Sequence, residues 1–531
     1  MTLQTIDLVV VIGYAIGIFV LAQWVSRDKA GESKDTSDYF LASKALPWWA
    51  VGASLIAANI SAEQIVGMAG SGYAIGLAIA SYEWMAGATL LIVGKFFLPI
   101  FLHNRIYTMP QFLEQRYGTS IRTIMAVFWL ALYIFVNLTS IIWLGSIAVT
   151  QVAGINQDLA LVGLGAFAVL YQLRGGLKAV ALTDIVQVTL LVLGGLLVSA
   201  LTLRAIGGDA GIVGGFSELT RRVPDHFDMI LSPDNPHYKE LPGLAVLIGG
   251  MWIANLSYWG FNQYIIQRAL AAKSLPEAQK GIVFAAFLKL LMPLVIVLPG
   301  IAAVVLAPDL AKPDEAYPAM LRLLPPGLLG LVFAALIAAI IASTASKINA
   351  IATIFTLDLY AKQFGRATTA EDGRADPARE RQLVLVGRIA ACVSIVIAML
   401  TARPLIGQSD QAFQFIQEFS GFFTPGITVI FLLGLFWKRA NEAGAIGAAV
   451  ASVVLSYVLR AALPDLPFLN RMSLVFLLSL ALAVVLSLMV KSRADANRVT
   501  VQGIDFRTTT GFNVASLGIV LILIALYATW W

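Results

Sequence analysis

The chain has 531 residues, of which 59% are hydrophobic and 13% charged, with a formal net charge of +5. Soluble chains carry about 25% charged residues, so a water-soluble globular protein is excluded. Long apolar runs recur from end to end and exclude a β-barrel, whose strands are short and alternating; the composition reads as an all-α polytopic membrane protein.

Fourteen transmembrane helices are predicted in chain order, near 7–25, 47–66, 77–102, 123–149, 157–172, 180–203, 244–267, 281–306, 327–359, 384–402, 413–437, 443–460, 472–490 and 511–530. The segment Met1–Ile6 lacks a basic region and the first apolar run is long enough to cross, so no signal peptide is expected. No Lys or Arg precedes the first span. Most of the 36 basic residues fall in alternate loops, with clusters at Arg27–Lys44, Lys362–Arg388 and Lys491–Arg507. Those loops are expected in the cytoplasm, which puts both termini outside it in a multi-pass plasma (inner) membrane protein. The basic balance therefore records orientation, and no nucleic-acid partner is expected. Cys392, the single cysteine, lies in an apolar run, so no intrachain disulfide forms.

The connection at 206–242 is rich in Gly, Asp, Pro and Ser, and 366–381 is charged. Neither suits a catalytic domain. His103, His226 and His237 all fall in predicted loops with no triad or metal spacing, so an enzyme is not expected. No soluble domain follows Trp531, which argues against a sensor wired to a signalling module.

The informative residues are the polar ones inside the spans. A charge near the bilayer centre costs about 3 kcal/mol or more and faces a cavity or a partner. The second span contains AANISAEQIVGMAGSG, which would bury Asn59, Ser61, Glu63 and Gln64 on several faces of a continuous helix. A broken helix accounts for them better, because unwound backbone exposes carbonyls to a cation and helix ends to a solute. The competing reading is a helix packed by its small residues. In the third span Glu83 stands between Tyr82 and Trp84, a carboxylate beside aromatics that suits a sugar. Pairing with a lysine is the alternative, and Lys289 in FLKLLMP is available for it. In the seventh span Asn255 and Trp259 are four apart and share a face. Asp184, Lys347 and Glu418, with the amides Asn137 and Gln417, complete the set.

Four stretches, GGLKAVALTDIVQV (Gly175–Val188), SAEQ…SYEW, NLSYWGFNQYIIQR and FQFIQEFSGFFTPG, occur in order with matching spans between them. Together they resemble the sodium/solute symporter family, in its sodium/glucose–galactose branch, over nearly the whole chain. The resemblance implies a five-plus-five inverted repeat of the kind named after the leucine transporter. Residues 1–46 would be a peripheral helix and loop, 47–204 the first repeat, 205–242 an outer loop, 243–438 the second repeat and 439–531 three peripheral helices. It implies import of a sugar coupled to sodium. Gln64, Glu83, Asn255 and Lys289 match residues that hold sugar hydroxyls, with Gln417, Tyr82 and Trp259 beside them. Tyr258 and its partner Asn59 match one gate, and Met68 and Phe413 the other. The sodium site would draw on Ala57, Ile60, Ala339 and Ser343, and Asp184 matches a carboxylate on the exit route.

Three positions depart from that pattern. Ala86 replaces a sugar-contacting serine, and Ala342 replaces the first of a paired serine, leaving Ser343. The loss of one oxygen predicts weaker sodium binding, since hard cations require several. Lys347, one turn beyond Ser343 on the same face, is expected either to substitute in part for the cation, giving weak sodium or proton coupling, or to reach along its stem towards the cytoplasmic vestibule.

Overall fold

A computed structural model describes residues 3–25, 46–106, 108–174, 177–361, 377–490, 499, 501 and 503–531. Helices account for most of the described residues, because a backbone in lipid must satisfy its hydrogen bonds within its own segment. Nine helices among them are long and apolar enough to cross a membrane, and two bent helix pairs pass the same test as units. The first predicted span is the helix Thr5–Val25 and the last is Thr510–Thr529. Both present apolar side chains outward, among them Val9, Ile12, Ile16, Leu517, Leu521 and Ile524, and so stand at the rim of the bundle.

The interior spans are long helices interrupted where polar residues gather. The second span runs as Trp48–Asn59, leaves helical geometry at Ile60 (φ −69°, ψ 116°), and resumes through a π-helical turn, Glu63–Met68, into Ala69–Ala74. Its two halves meet at 67°. The seventh span, expected to be continuous, is also broken. Gly250–Phe261 and Gln263–Leu270 are separated at Asn262, whose backbone is extended (φ −83°, ψ 120°). Asn262 Oδ1 accepts a hydrogen bond from Tyr133 at 2.8 Å, which fixes the interruption from a neighbouring span. Asparagine readily trades helical geometry for such local bonds, a preference that periodicity does not register. The eleventh span bends by 47° between Ala412–Ser420 and Thr424–Phe436.

Close packing holds the broken spans in place. The second span lies against the eighth, Leu275–Val295, where a Cβ on Gly281 would stand 2.7 Å from the Val51 side chain. Small residues at such a crossing let two backbones approach, which is the main source of helix association in lipid. The third span, Ser81–Ile92, packs against both the seventh and the eighth. The ninth, Leu328–Thr353, is anchored at its start by Asp7, whose Oδ1 accepts from the Gly327 and Gly330 amides at 2.7 and 2.9 Å. At the far end of the eleventh span buried Arg116 donates to the carbonyls of Gly434, Trp437 and Ala440 at 2.8–2.9 Å. Gly434 and Trp437 lie at the end of that helix, where carbonyls lack partners within the helix, and Ala440 lies just beyond it. The result is a rigid frame around two broken helices.

Candidate functional site

The breaks in the second and seventh spans open onto one internal cavity of about 130 Å³. A water needs on the order of 10–15 Å³ measured this way, so the space is that of a monosaccharide-sized solute. Its wall includes Gln64, Glu83, Asn255, Lys289, Gln417, Tyr82, Trp259 and Ala86. The four residues expected at the gates, Asn59, Met68, Tyr258 and Phe413, line it too. The structure therefore brings together twelve residues that the sequence places on five separate spans.

At the floor of the cavity stands a buried ion pair. Lys289 Nζ donates to Glu83 Oε2 at 2.6 Å and also to Asn59 Oδ1, and lies 4.9 Å from the Trp259 ring centre. Both charged side chains are at most 4% exposed. Of the two alternatives for Glu83, the lysine pairing is present, and it leaves solute contact open to the same carboxylate. A carboxylate has about four lone-pair sites, so one salt bridge leaves it acceptor capacity. Tyr82 carries a buried hydroxyl with no hydrogen-bond partner among the described residues. Buried hydroxyls are normally satisfied, and a polyhydroxylated solute in this cavity would supply the partner.

One side of the cavity is formed by Met68, Tyr82 and Phe413, with the Tyr82 and Phe413 rings edge to face at 5.2 Å. Met68 and Phe413 are each 1% exposed. Behind this layer the turn Pro313–Glu315 plugs the gap between Ala69–Ala74 and the start of Ala412–Ser420. Asp314 Oδ2 accepts from the Ala412 amide at 3.2 Å, while Oδ1 has no partner among the described residues. Burial pushes the Asp314 carboxyl up to about 7, opposed in part by the Ala412 amide and by Lys312 and reinforced by Glu315. A carboxyl raised in the folded protein favours folding below its unfolded value and loses that contribution as pH rises towards 7. Wild-type protein in detergent is therefore expected to melt at a lower temperature at pH 8 than at pH 6. The cost is at most about 1.4 kcal/mol per pH unit. Asp314→Asn should flatten that slope, as read by thermal unfolding across the two pH values.

Elsewhere on the wall stand Tyr133 and Tyr258, both in contact with Tyr264. Asn59 Nδ2 donates to the Tyr258 hydroxyl at 3.1 Å, and the Tyr258 and Tyr264 hydroxyls are 2.7 Å apart. Tyr264 in turn meets Tyr133 edge to face at 6.0 Å. Sequence reasoning missed Tyr264. It lies six residues beyond Tyr258 across the Asn262 break, where helical spacing loses its meaning. Ser61 was also missed as a connecting residue. Its Oγ is 2.9 Å from Gln64 Oε1 and 3.3 Å from Glu63 Oε2, so it links a cavity-wall amide to a buried carboxylate.

The residues expected at the cation site also approach one another. Ser343 Oγ donates to the Ile60 carbonyl at 3.4 Å, joining the ninth span to the break in the second. Ala57, Ala339 and Ala342 are buried nearby in the same two helices. The Asp184 side chain, like much of the GGLKAVALTDIVQV stretch, lies outside the described residues. Glu418 is elsewhere: it pairs with Arg471 at 2.7 Å and Arg460 at 3.4 Å and is not part of the cavity wall.

Residues 39–451 match the model of the family described as Sodium:solute symporter family. A sodium/glucose cotransporter from Vibrio parahaemolyticus is 49% identical over 100% of this chain and 99% of its own. A sodium/myo-inositol cotransporter 2 from Sus scrofa is 35% identical over 86% of this chain and 70% of its own. Among solved structures, a substrate-bound, outward-open sodium-coupled sialic acid symporter superposes with a TM-score of 0.75. It shares 22% identity over 92% of this chain and 99% of its own, which speaks to the fold. The nucleobase-cation symporter Mhp1 in a closed conformation gives a TM-score of 0.53 at 16% identity, over 88% of this chain and 99% of its own. On the strength of the matched model and of these relatives, the chain belongs to the sodium:solute symporter family.

Proposed function

We propose that this protein imports a hexose-like sugar together with sodium by alternating access. The observation that carries this reading is the cavity in which Glu83, Lys289, Asn59, Gln64 and Asn255 stand together beside two helix breaks. Carboxylate, ammonium and amide groups serve the several hydroxyls of a sugar, and the Trp259 and Tyr82 rings cover its C–H faces. The contact between Ser343 and the Ile60 carbonyl supports a sodium ion bridging the second and ninth spans through a hydroxyl and unwound backbone. Sodium there stabilises the bend in the second span, and with it the position of Gln64, so sugar meets an ordered wall.

In this reading the second to sixth spans form one five-helix repeat (47–204) and the seventh to eleventh the other (243–438). Each repeat begins with a broken helix, Trp48–Ala74 and Gly250–Leu270, in support of that pairing. Fourteen spans would leave both termini on one side of the plasma membrane, and the bias of basic residues between alternate loops supports the side outside the cytoplasm. The Met68–Phe413 layer then faces outward and the Tyr258–Tyr264 layer inward. Sugar closes the outer layer, and loss of sodium to the cytoplasm loosens the inner one. Each ligand shifts the equilibrium only by its difference in affinity for the two conformations. Inward sodium movement supplies about 2.3 kcal/mol per charge per 100 mV.

Uptake of radiolabelled solutes into proteoliposomes, with and without an inward sodium gradient, tests the function. The panel holds hexoses and cyclic polyols, since Ala86 gives the wall one hydroxyl fewer than the resemblance implies. Accumulation of a hexose driven by sodium is expected. Accumulation of a polyol alone would reassign the solute, and no accumulation under any cation gradient would remove the reading.

A further inference from the structure

Lys347 and Glu63 form a second buried ion pair beside the Lys289–Glu83 pair, with Glu63 on the cavity wall and Lys347 off it. Lys347 Nζ is 3.4 Å from Glu63 Oε2, and the two side chains are 4% and 8% exposed. Lys347 also lies 5.3 Å from the ring centre of Tyr264. Glu63 accepts hydrogen bonds from Asn137 at 3.4 Å, from Ser140 and from Ser61 at 3.3 Å. The carboxylate is thus held by the fourth span as well as by its own.

The position of this pair gives it a consequence. Lys347 is four residues beyond Ser343 on one helix, and Glu63 three residues beyond Ile60 on the other. The ion pair therefore joins the same two spans as the Ser343–Ile60 contact, about one helical turn away along the ninth and across the break in the second. Ala342 contributes no side-chain oxygen at that junction. A positive charge fixed there repels an arriving cation and at the same time performs its bridging role. The signal has a route into the cavity. Ser61 has one hydroxyl proton, which goes either to Gln64 Oε1 or to the Glu63 carboxylate. How strongly Glu63 draws that proton depends on the charge facing it.

We propose that Lys347 is a built-in cation that, with Glu63 as its counter-charge, does part of the work of sodium at the junction of the second and ninth spans and so sets how strongly solute binding depends on sodium. The inference rests on the sodium-coupled reading above. It assigns Lys347 and Glu63 as positioning residues for the cation; Lys347 stands off the cavity wall, whereas Glu63 also lines it.

Two variants with opposite expected shifts test it. Purified wild-type protein, Lys347→Met and Glu63→Gln are titrated with sodium chloride against choline chloride at constant ionic strength, and thermal stabilisation is recorded. Lys347→Met frees a buried carboxylate beside the cation junction and should lower the half-saturating sodium concentration at least fivefold. Glu63→Gln leaves the ammonium uncompensated and should raise it at least tenfold. A pair that merely supports the fold would lower stability in both variants without moving sodium in opposite directions. Should Lys347→Met not fold, the Glu63→Gln shift decides. Unchanged sodium curves, or shifts in the same direction, overturn the proposal. A sodium response that appears only in Lys347→Met supports it. If the wild type accumulates solute on a sodium gradient while the variants leave the sodium curve unmoved, this inference alone fails and the symport reading stands.

Discussion

Replacing Lys289 by methionine abolishes solute uptake and lowers the stability of the purified protein by about 3–5 kcal/mol, the usual cost of removing one partner of a buried salt bridge. Lys289 is 1% exposed, and it bonds both Glu83 and Asn59. Methionine fills the volume of the lysine stem but leaves Glu83 as an uncompensated buried carboxylate. It also leaves Asn59 without the donor to its Oδ1, while its Nδ2 still serves the Tyr258 hydroxyl. One change thus loosens the cavity floor and the tyrosine layer beneath it. The double variant Glu83→Gln, Lys289→Met should recover most of the lost stability, because no buried charge remains, yet still fail to transport. Thermal unfolding and proteoliposome uptake on the same preparations separate the two effects. Uptake by Lys289→Met at the wild-type rate would mean that the pair only supports the fold.

The second large effect is expected at Gly70. A Cβ there would stand 2.6 Å from Asp314 Oδ1 and 2.8 Å from the Asp314 Cα and amide nitrogen. The nearest atoms include backbone, so the clash cannot be relieved by rotating a side chain. Overpacking of this kind costs about 1–3 kcal/mol, and the cost falls on the state in which the Pro313–Glu315 turn is seated. Alanine should therefore bias the protein towards the state with that turn unseated. Uptake through Gly70→Ala is expected to drop about tenfold or more, since 1.4 kcal/mol is a factor of ten. Equilibrium solute binding in detergent should hold or tighten, because the cavity wall is untouched. A variant that loses binding and uptake equally would show that Gly70 shapes the wall and not the closure.

Much of this architecture was legible in the sequence because lipid makes polar residues expensive. Asn59, Glu63, Gln64 and Glu83 lie in runs that are otherwise apolar, and such residues need a cavity or a partner wherever the fold puts them. The break in the second span followed from the same reasoning, since its polar residues could not share one helical face. The seventh-span break did not, because Asn255, Tyr258 and Trp259 read equally well on a continuous helix and only Tyr133, from a distant span, fixes Asn262. Long-range polar partners were the other gap. The Arg116 capping of the eleventh span and the Asp7 anchor on the ninth join residues hundreds of positions apart. The Lys347–Glu63 pair is intermediate: sequence placed the lysine on the right face, but its counter-charge became evident only once the two helices met.

The account rests on polar side chains from separate spans enclosing a solute, and the access of Ala86 tests that most directly. Ala86 is 1% exposed and lines the cavity between Glu83 and the seventh span. In a Cys392→Ser background, Ala86→Cys is labelled with a small thiosulfonate reagent in the presence of sodium. The account predicts that a solute imported by the wild type slows this labelling at least fivefold, while a sugar that is not imported leaves it unchanged. Labelling that proceeds at the same rate with every imported solute would contradict it.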